Sequence, residues 1–141
     1  MSQVAKITSP EVPELSTATW SNALRIGNEI VLSGMTPHPF TERAAKELRP
    51  LSVYDQTIIV LNKCKALVEA AGGHIGNIYR LTVYVTDIAD KDEVGRARRD
   101  FFSGQRTFPT STLVGVKELV FPDLRVEIEA SARLDIDLST L

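Results

Sequence analysis

The nine residues Leu124-Arg125-Val126-Glu127-Ile128-Glu129-Ala130-Ser131-Ala132 alternate without a break. Leu124, Val126, Ile128, Ala130 and Ala132 fall on one face, and Arg125, Glu127, Glu129 and Ser131 on the other. That is the period-two signature of a strand with one buried side. A sheet with one apolar face needs a second layer, and two segments can supply it. Residues 52–71 place Ile58, Leu61, Cys64, Val68 and Ala71 at three- and four-residue intervals, one helical stripe that Gly72-Gly73 then stops. A second helix begins near Asp90, where Asp90 and Glu93 have capping-box spacing, and carries Val94, Ala97 and Phe101 inward. Gly95 weakens this helix by up to ~1 kcal/mol relative to alanine, which points to a packing or contact role there.

Further strands flank the helices. Residues 80–86 alternate cleanly, with Leu81, Val83 and Val85 opposite Arg80, Thr82, Tyr84 and Thr86. Residues 20–26 and 29–34 read as two strands joined by a Gly27-Asn28 turn, since both turn residues tolerate positive φ. Ile30, Val31 and Leu32 form a short apolar run fit for burial on both faces. Residues 110–116 and 124–132 are expected to form a C-terminal hairpin through the Phe121-Pro122-Asp123 region. Residues 36–50, bracketed by Pro37, Pro39 and Pro50, read as a long surface loop of the kind that carries function. The expected order is ββαβαββ, with two helices on one face of a mixed sheet, an α/β (α+β) architecture. Its other face, displaying Thr82, Tyr84, Arg125, Glu127, Glu129 and part of residues 110–115, is left for oligomerisation. Small residues such as Ser111 and Gly115 would permit close approach there.

Bulk properties limit the function classes. The 141 residues fit a single domain, 1–141, able to bury a core without staples, and 43% hydrophobic with 24% charged is ordinary globular composition. Sixteen basic and 18 acidic side chains give a net charge of −2, without the basic excess of a nucleic-acid binder. Arg96, Arg98 and Arg99 read as a solvated helix face. Cys64 has no cysteine to pair with, and with His38 and His74 it offers no metal-ligand spacing, so no metal is expected. Cys64 itself reads as a small core residue. No leader-like apolar run and no stretch near ~20 apolar residues is present, so a soluble, cytoplasmic protein without membrane contact is expected.

Four fragments then carry a resemblance: Val31-Leu32-Ser33-Gly34, Leu67-Val68-Glu69-Ala70-Ala71-Gly72, Val83-Tyr84-Val85-Thr86-Asp87 and Val126-Glu127-Ile128-Glu129-Ala130. With Phe108-Pro109-Thr110-Ser111-Thr112 they resemble the RidA (YjgF/L-PSP) family in order and spacing, over residues 20–132. The resemblance implies a chorismate-mutase-like fold, a homotrimer packing its sheets into a central barrel, and clefts between subunits for a small-molecule ligand. It further implies hydrolysis of reactive imines and enamines to 2-oxo acids and ammonia, with no cofactor. In active deaminases of the family an arginine two residues after the signature proline holds the substrate carboxylate as a bidentate pair. Here Ser111 stands at that place, followed by Thr112. A hydroxyl donates one hydrogen bond and brings no charge.

The same resemblance makes Glu127 the carboxylate that positions the attacking water. It sets Trp20 where the family has a pocket tyrosine, keeping an aromatic wall without a phenol. Gly34 matches the family and could bring main chain against a ligand, whereas Gly95 falls where the family has a pocket asparagine. The expected function is therefore a hydrolytic deaminase (a hydrolase acting on C–N bonds) with specificity diverged from 2-iminoacids. Such a substrate lacks the carboxylate or meets Arg25, Arg80 or Arg125 with it. A non-catalytic ligand-binding or protein-interaction module on the same trimer is the alternative. Endoribonuclease activity is a weaker one, disfavoured by the acidic net charge and the lack of a catalytic histidine pair.

Overall fold

The computed structural model describes residues 3–141, so Met1 and Ser2 of the expected domain lie outside the described residues. In chain order its elements are β1 (Val4–Ile7), β2 (Ala23–Ile26), β3 (Glu29–Leu32), α1 (Phe40–Lys46), α2 (Val53–Ala70), β4 (Ile78–Val85), α3 (Lys91–Phe101), β5 (Thr110–Gly115) and β6 (Val126–Arg133). The strands form one mixed sheet in the order β1-β2-β3-β6-β4-β5. The α+β architecture agrees with the sequence reading, and the expected seven elements are present with a strand and a short helix added.

Alternation in β6 becomes burial. Val126, Ile128, Ala130 and Ala132 are buried, while Glu127, Glu129, Ser131 and Arg133 are part-exposed. Leu81, Val83 and Val85 of β4 join the buried side, where α2 covers them with Val60, Leu61, Cys64, Leu67 and Val68. Each fully buried branched side chain contributes about 1.5–3 kcal/mol, so this layer dominates the stability. Burial pushes the Cys64 thiol up to about 12, leaving an inert core group. Among the described residues no helix is long and apolar enough to cross a membrane.

Several expectations change. The C-terminal hairpin does not form: β5 pairs parallel with β4, and β6 inserts antiparallel between β3 and β4. The central place suits β6 because its long apolar face needs strands on both edges, whereas β5 carries Thr110, Ser111 and Thr112 and tolerates an edge. Ile30 and Leu32 are buried but Val31 is exposed, so β3 buries only one face. The strand expected from residue 20 starts at Ala23, leaving Trp20 in the approach. The Gly27-Asn28 turn is found, with Gly27 at φ +60°.

The expected loop at 36–50 contains α1, held by a lysine that the sequence reading passed over. Lys63, buried on α2, donates to the carbonyls of Thr36 and His38, each at 2.7 Å. Asp90 does not cap α3 with its side chain; its carboxylate takes Arg125 at 2.7 Å instead. The preceding turn at Ile88–Asp90 is capped by Asp87, whose Oδ1 accepts from the Ala89 N–H at 2.9 Å.

Candidate active site

Glu127 and Gly34 meet through strand register. Past the end of β3, Met35 exchanges two backbone hydrogen bonds with Ile128, the residue after Glu127, at 2.8 and 3.0 Å. Val31 pairs with Ser131, so four steps along β3 and its extension oppose three along β6, which is a bulge at Ser33-Gly34. The bulge lays the Glu127 side chain directly over Gly34. A Cβ built on Gly34 would stand 2.9 Å from Glu127 Cδ and 3.1 Å from Cγ, with Oε2 closer still. Only glycine leaves that space.

Trp20 belongs to the same corner. The Ser33 N–H donates to the Asn22 carbonyl at 2.9 Å, and Ser33 Oγ donates to the Ser21 carbonyl at 2.6 Å. The approach to β2 therefore runs beside Ser33-Gly34, and Trp20 stands at its start, 53% exposed. Its indole is free to wall a ligand rather than being committed to the core.

Electrostatics single out Glu127 among the carboxylates on this face. Partial burial raises its pKa above the ordinary carboxylate value, and the neighbouring Glu129 charge adds to the rise. Opposite Glu127 on β4 stands Tyr84, whose hydroxyl donates to Glu129. Glu129 is thus tied to a phenol. The Glu127 carboxylate has no hydrogen-bond partner among the described residues. A carboxylate without a side-chain partner, part-buried and with its pKa raised, suits general acid–base work.

Ser111 and Thr112 are elsewhere. Across β4, Leu81 pairs with Ser111, Val83 with Leu113 and Val85 with Gly115, so Ser111, Leu113 and Gly115 share the helix-facing side of the sheet. This corrects the sequence expectation that Ser111 and Gly115 lie on the open face; the parallel β4–β5 register sets their orientation. Thr110, Thr112 and Val114 take the open face, where Thr112 lines up with Thr82 and Glu129. Glu127 pairs with Tyr84, which pairs with Val114, three residues past Ser111. Two strand spacings and three residues put Glu127 and Ser111 about 14 Å apart, on opposite faces. One chain does not bring them together.

The arginines named as stand-ins are largely spent. Arg25 donates to the carbonyls of Gly27 and Ala71 at 3.0 and 3.2 Å, and Arg125 is held by Asp90. Arg80 is exposed near the start of β4, level with the first residue of β5. Gly95 borders empty space, with nothing within 4 Å of the position its Cβ would occupy. Among the described residues no group of three His, Cys, Asp or Glu is placed to hold a metal ion.

Comparison with known proteins agrees with the fold. The family model described as Endoribonuclease L-PSP matches residues 12–134. TdcF of Escherichia coli, named for reactive intermediate deamination, is 39% identical over 84 residues, which is 59% of this chain and 64% of TdcF's own length. The 2-iminobutanoate/2-iminopropanoate deaminase of the same organism is 33% identical over 131 residues, covering 92% of this chain and 98% of that one. A Pseudomonas aeruginosa protein of unknown function, solved by crystallography, superposes with a TM-score of 0.96 at 59% identity, covering 99% and 98% of the two chains.

Proposed function

Because the chain belongs to the YjgF/L-PSP (RidA) family, we propose that it is a hydrolytic deaminase of small imines and enamines. In this reading it works in the cytoplasm without a cofactor, with a specificity moved away from the common 2-iminoacids. The observation that carries the reading is the Glu127 carboxylate laid over the Gly34 main chain, part-buried and raised in pKa. Its chemistry follows in two steps. The substrate enters as the protonated imine; a water oxygen bonds to its carbon while one water proton passes to Glu127, giving a neutral carbinolamine. Glu127 then returns that proton to the nitrogen, the C–N bond breaks as the hydroxyl proton passes back to the carboxylate, and a carbonyl compound and ammonia leave.

The separation of Ser111 from Glu127 supports a composite site. A neighbouring copy that docks its β5 edge and α3 side against the open face would bring the two halves together, and threefold closure does this at three equivalent clefts. The homotrimer is thus part of the proposal. Ser111, at the place of the family's arginine, favours one second reading: a trimer that binds a small molecule without turning it over.

Glu127→Gln tests both. The change is close to isosteric, so mass by light scattering should stay at three chains while imine hydrolysis falls by at least ~100-fold, the scale of a positioned acid–base group. Undiminished turnover in the assembled variant would move the chemistry elsewhere. Ligand binding without turnover in the wild type would establish the second reading, and a monomer mass at micromolar concentration would remove the composite site.

A further inference from the structure

Arg98 is a cation with no counter-charge. It is part-buried near the end of α3, and among the described residues its guanidinium makes no hydrogen bond or ion pair. Burial alone lowers its pKa, with no carboxylate acting against that. Arginine stays protonated in proteins, so the charge is present at this part-buried place, where solvent, and no carboxylate, meets it.

Its direction follows from α3. Arg96 stacks on the Tyr54 ring at 4.0 Å and Asp100 accepts from the Tyr54 hydroxyl at 2.6 Å, so both face α2. Arg98 lies about 160° around the helix from each of them and points away from α2. One turn on, Phe102 packs edge-on against Phe108 with ring centroids 6.4 Å apart, just before β5 begins. At the other end, Ile88 Cδ1 lies 4.0 Å from where a Gly115 Cβ would stand, at the end of β5. Hence α3 runs antiparallel along the helix-facing side of β5. Arg98 sits about 6 Å before Phe102, and helix side chains lean toward the N-terminus. That lean places Arg98 on the side of α3 toward the start of β5, where Ser111 is exposed, with the open space at Gly95 one turn earlier.

We propose that Arg98, with the Ser111 hydroxyl, forms the anion-binding half of the site and holds the carboxylate of a small oxo or imino acid. The charge comes from the helix rather than the strand, and its fork accepts a carboxylate bidentately. The ligand's acid group lies nearer α3 than an arginine at 111 would place it, so compounds with a longer carbonyl-to-carboxylate span are favoured. This rests on the deaminase reading above, in which Glu127 of a neighbouring copy completes the cleft.

The test titrates the assembled protein calorimetrically with two probes, 2-oxobutanoate and 4-oxopentanoate, and with their uncharged amides. At least one acid should bind saturably. Arg98→Ala and the bulkier Arg98→Gln should each weaken it on the order of 10-fold or more, the usual cost of a lost charged hydrogen-bond pair, while any amide binding is unchanged. Arg96→Ala, on the α2 side, should leave the affinity at the wild-type value. Equal affinity in wild type and both Arg98 variants would overturn the proposal. So would no saturable binding of either acid, or a trimer structure with a neighbour's carboxylate seated on Arg98. Failure of the deaminase reading looks different: carboxylate binding that still depends on Arg98, with no imine turnover for Glu127→Gln to abolish.

Discussion

Gly34→Ala isolates the contact that shapes the proposed catalytic corner. The φ of Gly34 lies outside the left-handed region, so alanine brings no backbone strain there. What it meets is the Glu127 side chain, with Cδ at 2.9 Å and Cγ at 3.1 Å from the new methyl. Carbon atoms settle at ~3.5–4.0 Å, so the carboxyl must retreat by roughly 0.6–1 Å. The obstacle is the flexible end of a side chain rather than main chain, and Glu127 can swing toward solvent. Overpacking a rigid core costs about 1–3 kcal/mol, and a site with this escape should lie at the low end, about 1 kcal/mol.

Catalysis has no such escape. A displacement near 1 Å of a group that positions water is worth about 100-fold in rate. The variant should therefore melt within several degrees of wild type, keep its oligomeric mass, and lose most of its imine-hydrolysing activity. A coupled assay that generates the imine in place and follows its decay measures this directly. Wild-type rates in Gly34→Ala would show that the carboxylate's position over Gly34 is irrelevant to turnover, and would refute Glu127 as the water-positioning group.

Three further outcomes follow from the same contacts. Since burial and Glu129 raise the Glu127 pKa, activity should fall on the acid side above the ordinary carboxylate range, and Glu129→Gln should move that limb to lower pH in a pH–rate profile. The folded state holds this proton more tightly than the unfolded chain, so Glu127 favours folding below its unfolded pKa and this is lost as pH rises through the folded value; Glu127→Gln should raise the Tm at neutral pH and not at pH 4. Gln56, buried, joins α2 to the carbonyls of Leu51 and Asp123 and to the Arg125 N–H at 3.3, 3.3 and 2.9 Å, so Gln56→Ala should cost about 2 kcal/mol in urea unfolding, with water from the adjoining 250 Å³ cavity softening the loss. Despite the family model's description, RNA should be neither cleaved nor bound tightly at physiological salt, because the net charge is −2; salt-sensitive sub-micromolar binding in a gel shift would contradict this.

The fold was legible where periodicity and punctuation agreed. β6, β4 and α2 each carry a long regular pattern, and Gly72 and Gly27 mark ends that the structure keeps with positive φ. Pairing was less legible, because alternation says which face a residue takes and nothing about which strand lies beside it. Residues 110–116 and 124–132 look like a hairpin locally, yet β6 gains more apolar contact in the centre of the sheet. α1 was hidden for another reason: its three bracketing prolines signal a loop, and its anchor is Lys63, a charge off the apolar stripe of α2 whose role appears only when two carbonyls are seen around it.

The site divides along the same line. Gly34 and Glu127 are 93 positions apart in sequence, and a bulge one residue long makes them touch; family likeness named both, but spacing could not show why one must be glycine. Ser111 was placed on the wrong face because a strand read alone does not reveal its partner's register. Arg98 was passed over as part of a solvated cluster because Arg96 and Arg99, two exposed neighbours, gave it their character. Sequence distance treats the three as a patch, whereas the helix turns them to different surroundings: Arg96 to a tyrosine ring, Arg99 to solvent, Arg98 to a part-buried place on the side away from α2. In the proposed assignment an arginine absent from a strand is replaced by one on the neighbouring helix. Their alignment columns are unrelated. On that proposal, loss of a family residue at one position is weak evidence for loss of its charge, and a part-buried, unpaired guanidinium on a neighbouring element is where to look for it.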